Sequence, residues 1–291
     1  MKIRFLIAFI GGSALFSCNN NDSLRVELGL SKQKLLHNGI KREFILYVPN
    51  SFTNDIEFPL MLNFHGFGGQ AEGFMQNADM RSLAEINNFI LVYPQGTLLD
   101  EYSHWNPGFD TPDNKSNADD YGFIDLLITR LKEIYNIDLK RVYASGYSNG
   151  AFFSYGLACH FSDKIAAIGS VAGTMLAGTY SSCQASAPKA MINIHGTSDF
   201  VVPYNGANGT TSIENVLNFW TNLNDSKNES INIFNNIEHY VFTDDIGNSY
   251  VEHFKVIDGG HYWDDKLDFN GKNTSNLIWN FVSKYDINGL R

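Results

Sequence analysis

Ser148 is the residue best placed to do chemistry. It stands in Gly146-Tyr147-Ser148-Asn149-Gly150, a Gly-x-Ser-x-Gly pattern. The apolar run from Val142 precedes it and reads as a buried strand, and Ala151 to Ala158 follows as a helical segment. Strand, sharp turn and helix are the setting of a nucleophile elbow. There the serine takes a strained backbone conformation, and the flanking glycines avoid collisions that a Cβ would make. The hydroxyl is then open to both a base and a substrate carbonyl.

A serine hydroxyl is a weak nucleophile until a base takes its proton. Histidine suits that task because its pKa lies near working pH. Of the eight histidines, His261 is the candidate base. It lies in Asp258-Gly259-Gly260-His261-Tyr262-Trp263, after the last apolar strand and before the last helix. The third member of such a triad is an acid between serine and histidine in chain order. Asp199 follows directly on the strand ending at Ile194, so it is the candidate. Asp163, Asp225, Asp244, Asp245 and Asp258 satisfy the order alone. An oxyanion hole needs two backbone amides aimed at the developing charge. The reading assigns one to Asn149 and the other to Phe67, with Gly68 the alternative, in His65-Gly66-Phe67-Gly68-Gly69. His65 and His195 read as structural. Trp105 and Trp263 are candidates for a substrate-binding wall that stacks on an aromatic acyl group.

The elements that position these residues alternate. Strands are expected at 41–49, 59–64, 89–94, 165–172, 190–194, 240–242 and 250–257. Helices are expected at 75–86, 120–135, 213–223 and 276–285. Such alternation implies an α/β fold, a mostly parallel sheet with helices on both faces. A loop from Gln95 to about Asn117 is longer than a structural link requires, which points to function.

The net charge is −10 and no basic run occurs, so nucleic acid is excluded as a partner. No His/Cys set has metal-ligand spacing, no phosphate loop ends in Lys-Ser/Thr, and no cofactor is expected. Residues 1–18 read as a signal peptide, with Lys2 and Arg4 before an apolar run. Leu15-Phe16-Ser17-Cys18 resembles a bacterial lipoprotein box, which implies lipidation of Cys18 and a membrane surface as partner. The expected locations are the bacterial cell envelope or, without lipidation, secretion or the periplasm. Residues 19–34 are expected as a tether and 35–291 as a single catalytic domain. In an exported chain the remaining cysteines, Cys159 and Cys183, suggest a disulfide.

The sequence resembles the polyhydroxybutyrate depolymerase-like esterases, a group that includes feruloyl and acetylxylan esterases. The residues that carry the resemblance are His65-Gly66, Tyr93-Pro94-Gln95-Gly96, Trp105-Asn106, Asp119-Asp120-Tyr121-Gly122-Phe123 and Gly146 to Ala151. Asp138 to Val142, Ala158-Cys159, Val171-Ala172-Gly173, Cys183, His195-Gly196-Thr197-Ser198-Asp199 with Val202-Pro203-Tyr204, and Gly259-Gly260-His261-Tyr262-Trp263 complete the set. The match runs from about Leu35 to Tyr285. It implies an α/β-hydrolase fold, ester hydrolysis by Ser148, His261 and Asp199, and a Cys159–Cys183 bridge. The family often follows its histidine with threonine and Trp-Pro-Gly. Here Tyr262-Trp263-Asp264-Asp265 stands instead, in a segment the resemblance sets beside the acyl pocket. The expected substrates are feruloyl or acetyl esters of plant polysaccharide, with hydroxyalkanoate polyesters as the alternative. A serine peptidase and an inactive surface binder are the readings from other classes.

Overall fold

The computed structural model describes residues 26–291 apart from Asp110 and Asn208. The signal and lipidation expectations, with Cys18, lie outside the described residues. A hairpin, β1 (Gly29–His37) and β2 (Ile40–Val48), opens the described chain. Gly29 to Lys34 therefore belong to the sheet, not to the tether expected over 19–34. The signal was weak because β1 alternates exposed Lys32 and Lys34 with half-buried positions, and only Leu35 is fully covered.

Next come β3 (Phe58–Phe64), helices α1 (Ala71–Asn77) and α2 (Arg81–Asn87), and β4 (Ile90–Pro94). Every residue of β3 and β4 is buried, as their continuous apolar runs require of strands covered on both faces. The single helix expected over 75–86 is in fact two. The buried Tyr93 hydroxyl enters the break, donating to Ala78 O at 2.5 Å and accepting from Met80 N at 3.1 Å. The expected long loop folds partly into a small hairpin, β5 (Thr97–Leu99) and β6 (Tyr102–His104).

The chain continues through α3 (Asp120–Ile134), β7 (Ile137–Tyr147), α4 (Asn149–His160) and β8 (Ala167–Val171). Then follow α5 (Ala177–Ser182), β9 (Ala190–Gly196), α6 (Ile213–Leu223), β10 (Asn228–Phe234), β11 (Ile237–Thr243), β12 (Ser249–Val256) and α7 (Thr274–Val282). Ten strands make one sheet in the order β1-β2-β4-β3-β7-β8-β9-β12-β11-β10. The six from β4 to β12 run parallel, and the strands outside them pair antiparallel. Apolar side chains of α3, α4 and α6 cover one face, among them Phe123, Leu157 and Trp220. Those of α1, α2 and α7 cover the other, among them Phe74, Ala84 and Trp279. This is an α/β-hydrolase fold with helices on both faces. Among the described residues no helix is long and apolar enough to cross a membrane.

The parallel order decides where chemistry can sit. Side chains gather beyond the carboxyl ends of parallel strands. Strands β3, β7, β9 and β12 of this parallel set lead there into Phe67, Ser148, Asp199 and His261 respectively.

Candidate active site

Ser148 caps α4 at φ 53° and ψ −117°, a left-handed conformation rare for a residue with a side chain. The turn is tight enough that a Cβ on Gly146 would collide with the Gly150 backbone. A Cβ on Gly150 would meet the Phe64 and His65 carbonyls. The glycines are needed for close approach, as the pattern implied.

His261 Nε2 lies 3.0 Å from Ser148 Oγ. Its Nδ1 lies 2.7 Å from Asp199 Oδ2. The other oxygen of Asp199 accepts from Val201 N at 2.9 Å and Val202 N at 2.8 Å. These amides fix the carboxylate with its free edge toward the imidazole. The structure thus brings together the three residues named from sequence order, and none of the rival aspartates occupies that position.

Tyr147 adds a contact that the sequence did not announce. Its hydroxyl donates to His261 O at 2.9 Å, and its ring lies 5.1 Å from the imidazole. Burial and the nearby Asp199 charge push its pKa up to about 12, so the phenol stays a donor. His195, expected to be structural, is also close. Its Nε2 lies 2.8 Å from Val202 O and 3.4 Å from Asp199 Oδ2. Burial lowers its pKa, which keeps it neutral beside the carboxylate. The neutral ring anchors the loop that holds Asp199.

The two expected oxyanion donors are free. Among the described residues no acceptor takes the amide of Phe67 or of Asn149, whereas Gly68 N is used up on Ser103 O at 2.7 Å. That removes Gly68 as the alternative. The Asn149 amide is also the first of α4, so the positive end of the helix dipole adds to it.

Behind the amides stands a buried scaffold. Asn149 Oδ1 accepts from Trp105 N at 2.7 Å and its Nδ2 donates to Trp105 O at 3.0 Å. The Trp105 indole donates to His65 O at 3.1 Å. His65 Nδ1 meets Gly66 O at 2.7 Å, while its Nε2 accepts from Gly96 N at 3.0 Å and faces Gln95 Nε2 at 3.1 Å. Burial lowers the His65 pKa to about 4, so the ring is neutral and serves as donor on one side and acceptor on the other. Below this lies the Arg42–Asp120 ion pair at 2.7 Å, fully buried, with Asp120 Oδ2 accepting from Asn106 N at 2.8 Å. Arg42 also lies 4.0 Å above the Phe123 ring.

The expected substrate wall is not formed. Trp105 is completely buried and stacks on Phe153, with centroids 5.3 Å apart. Trp263 is almost as buried and meets Phe74 edge-on at 5.4 Å. Neither indole can stack on a ligand. A tryptophan in a loop motif gives no clue to which side of the loop its ring takes. The aromatics that are exposed beside the site are Phe67, Tyr102, Phe200 and Tyr262.

Cys159 in α4 and Cys183 after α5 form a disulfide. Asp113 reaches from the 95–119 segment to Gly178 N at 3.2 Å and Thr179 N at 2.7 Å, which ties that segment to α5. Among the described residues no group of three His, Cys, Asp or Glu side chains is placed to hold a metal.

Residues 42–216, more than half of the chain, match the family described as esterase PHB depolymerase. The chain belongs to that family. Within it, the chain is 28% identical over 252 residues to a bifunctional acetylxylan esterase/xylanase of Neocallimastix patriciarum, covering 86% of this chain and 34% of that protein. It is 30% identical over 167 residues to feruloyl esterase B of Piromyces equi, covering 57% and 30%. The chain thus spans about a third of the length of these relatives. Among solved structures, an acetyl xylan esterase from Aspergillus awamori matches with TM-score 0.60 at 17% identity, over 79% of this chain and 94% of that one. A ferulic acid esterase from Anaeromyces mucronatus matches with TM-score 0.59 at 16% identity, over 93% and 96%. These likenesses identify the α/β-hydrolase fold of the family.

Proposed function

We propose that this family member is a serine carboxylesterase acting on feruloyl or acetyl esters of plant polysaccharide. One observation carries the reading: His261 bridges Ser148 Oγ and Asp199 Oδ2 beside two amides that no acceptor among the described residues takes. Ser148 attacks the ester carbonyl as His261 Nε2 takes its proton. The Phe67 and Asn149 amides hold the oxyanion, and Asp199 stabilises the imidazolium. His261 returns the proton to the leaving alcohol. Water then attacks the acyl-serine, again with His261 as base, and the acid departs. The curated relatives named as acetylxylan and feruloyl esterases support the polysaccharide ester over a hydroxyalkanoate. Export, with acylation of Cys18 as the membrane tether, is part of the same proposal and rests on the first eighteen residues. Its test is labelling of the mature chain by radioactive palmitate, which Cys18→Ser abolishes.

The test of the activity is turnover of p-nitrophenyl acetate, methyl ferulate, a hydroxybutyrate oligomer and a peptide anilide by wild type and Ser148→Ala. Wild type is expected to cleave the first two, and the variant to lose about 10³-fold or more in kcat. A Ser148→Ala protein as active as wild type overturns the assignment. A wild type inert on every ester favours the binding protein instead.

A further inference from the structure

The position that supplies one oxyanion amide also carries an exposed ring. Phe67 is 44% exposed, although its backbone sits at the centre of the site. Its ring lies nearly parallel to that of Tyr102, 5.6 Å between centroids and 21° between planes. Tyr102 is itself 57% exposed. Lys115 Nζ lies 4.6 Å from the Phe67 centroid. No carboxylate among the described residues pairs with that ammonium, in a chain of net charge −10. Two half-exposed rings and a cation that no carboxylate among the described residues pairs thus lie together beside the candidate site, and exposed apolar surface beside a site marks a binding face.

All three side chains stand on fixed backbone. Tyr102 lies in β6, whose Ser103 takes Gly68 N and donates its hydroxyl to Gly69 O. Lys115 N donates to Asn106 Oδ1 at 3.2 Å, and the Asn106 amide is bonded to Ser116 O and Ala118 O at 2.9 Å each. Binding to such a surface needs little reorganisation.

The chemistry orients the substrate. The leaving oxygen must face His261 Nε2, which returns its proton, so the alcohol lies toward Tyr262. The acyl chain is a separate substituent that extends away from His261 Nε2, and Phe67 flanks the carbonyl through its amide. We propose that Phe67, Tyr102 and Lys115 form the acyl subsite and select an aryl acyl group bearing ring oxygens, the hydroxycinnamate class, over acetate. A flat conjugated acyl group stacks on the paired rings. Its ring oxygen meets the Lys115 ammonium. An acetyl group is too short to touch either, and an aliphatic hydroxyalkanoate has no ring to stack. The inference rests on the serine esterase reading.

The test compares methyl ferulate, methyl cinnamate and p-nitrophenyl acetate on wild type, Lys115→Met, Lys115→Arg, Tyr102→Ala and Tyr102→Phe. Lys115→Met is expected to lower the ferulate-to-cinnamate ratio of kcat/KM about tenfold, chiefly through KM, as for a lost hydrogen bond to a charged group. Lys115→Arg restores the ratio. Tyr102→Ala lowers both aryl esters relative to acetate about fivefold, the scale of one lost stacking contact, and Tyr102→Phe does not. Ratios that stay within about twofold in Lys115→Met and Tyr102→Ala, or an equal loss on all three esters, overturn the proposal. A wild type that cleaves acetate but neither aryl ester overturns it while leaving the esterase intact. A wild type that cleaves none of the three overturns the esterase reading itself.

Discussion

Asn149 grips Trp105 by both ends of its main chain, accepting from its N–H and donating to its C=O. One side chain at the start of α4 thereby fixes the segment that follows the β5–β6 hairpin. Through the indole it also reaches His65 and the loop proposed to hold the oxyanion. Asn149→Ala removes both bonds and leaves two buried main-chain groups unpaired. We expect a loss of about 1–3 kcal/mol of stability for each unsatisfied group. We also expect kcat/KM to fall, because the Phe67 amide loses its backing. Chemical denaturation and ester kinetics read the two effects. A variant with wild-type stability contradicts the role.

Tyr147→Phe deletes only the hydroxyl that donates to His261 O. The ring contact with the imidazole remains. A stability loss of about 1 kcal/mol is expected for one hydrogen bond. The kinetic effect should fall on kcat with KM little changed, since the imidazole moves but the acyl subsite does not. A change in KM alone contradicts this.

The Arg42–Asp120 pair lies out of water under the long segment. Removing one partner strands the other, so Arg42→Met is expected to cost about 3–5 kcal/mol. The double variant Arg42→Met/Asp120→Leu should recover part of that loss, because the Asn106 N–H that Asp120 holds is then left unpaired. Thermal unfolding of the single and double variants checks it, and an additive double loss contradicts it.

Three buried histidines set an acid limit. Burial lowers the pKa of His65 to about 4 and of His253 to about 3, and it lowers that of His195. Unfolding returns each ring to its ordinary value near 6.5. Below that value the unfolded chain binds protons that the folded chain refuses. Stability is therefore full above pH 6.5 and falls as pH drops toward 4, by up to about 1.4 kcal/mol per pH unit for each proton. Asp120, raised by burial, works in the opposite direction. Melting temperatures at pH 7, 6 and 5 should decline, and His253→Gln should flatten the slope. A flat profile contradicts the assignment.

The candidate triad was legible because the chemistry proposed for it imposes order and spacing. Ser148 needs its glycines, and Asp199 and His261 must each follow a strand. Buried strands such as β3 and β4 announced themselves as unbroken apolar runs. The strands β1 and β10 did not: Lys32 and Lys34 are exposed and Ser31 and Gln33 half-buried in β1, and all of β10 except Phe234 is exposed, so polar residues break both apolar patterns. The break between α1 and α2 depends on Tyr93, a residue from a strand not yet formed when the helix is read. Trp105 and Trp263 were misplaced for a related reason. Their type fits a core as well as a wall, and only tertiary packing decides. The glycine-rich motif gives Phe67 a role through its amide, and nothing in its spacing marks the ring as exposed.

The backbone of Ser148 has a consequence for how the chain ages in evolution. A φ of 53° with ψ of −117° suits glycine and penalises every side chain, by about 1–3 kcal/mol in such regions. Ser148→Gly is therefore expected to melt higher than wild type while turning nothing over. Drift under selection for folding alone would exchange this serine early. Its presence at a backbone position that glycine would suit better fits the nucleophile role proposed above.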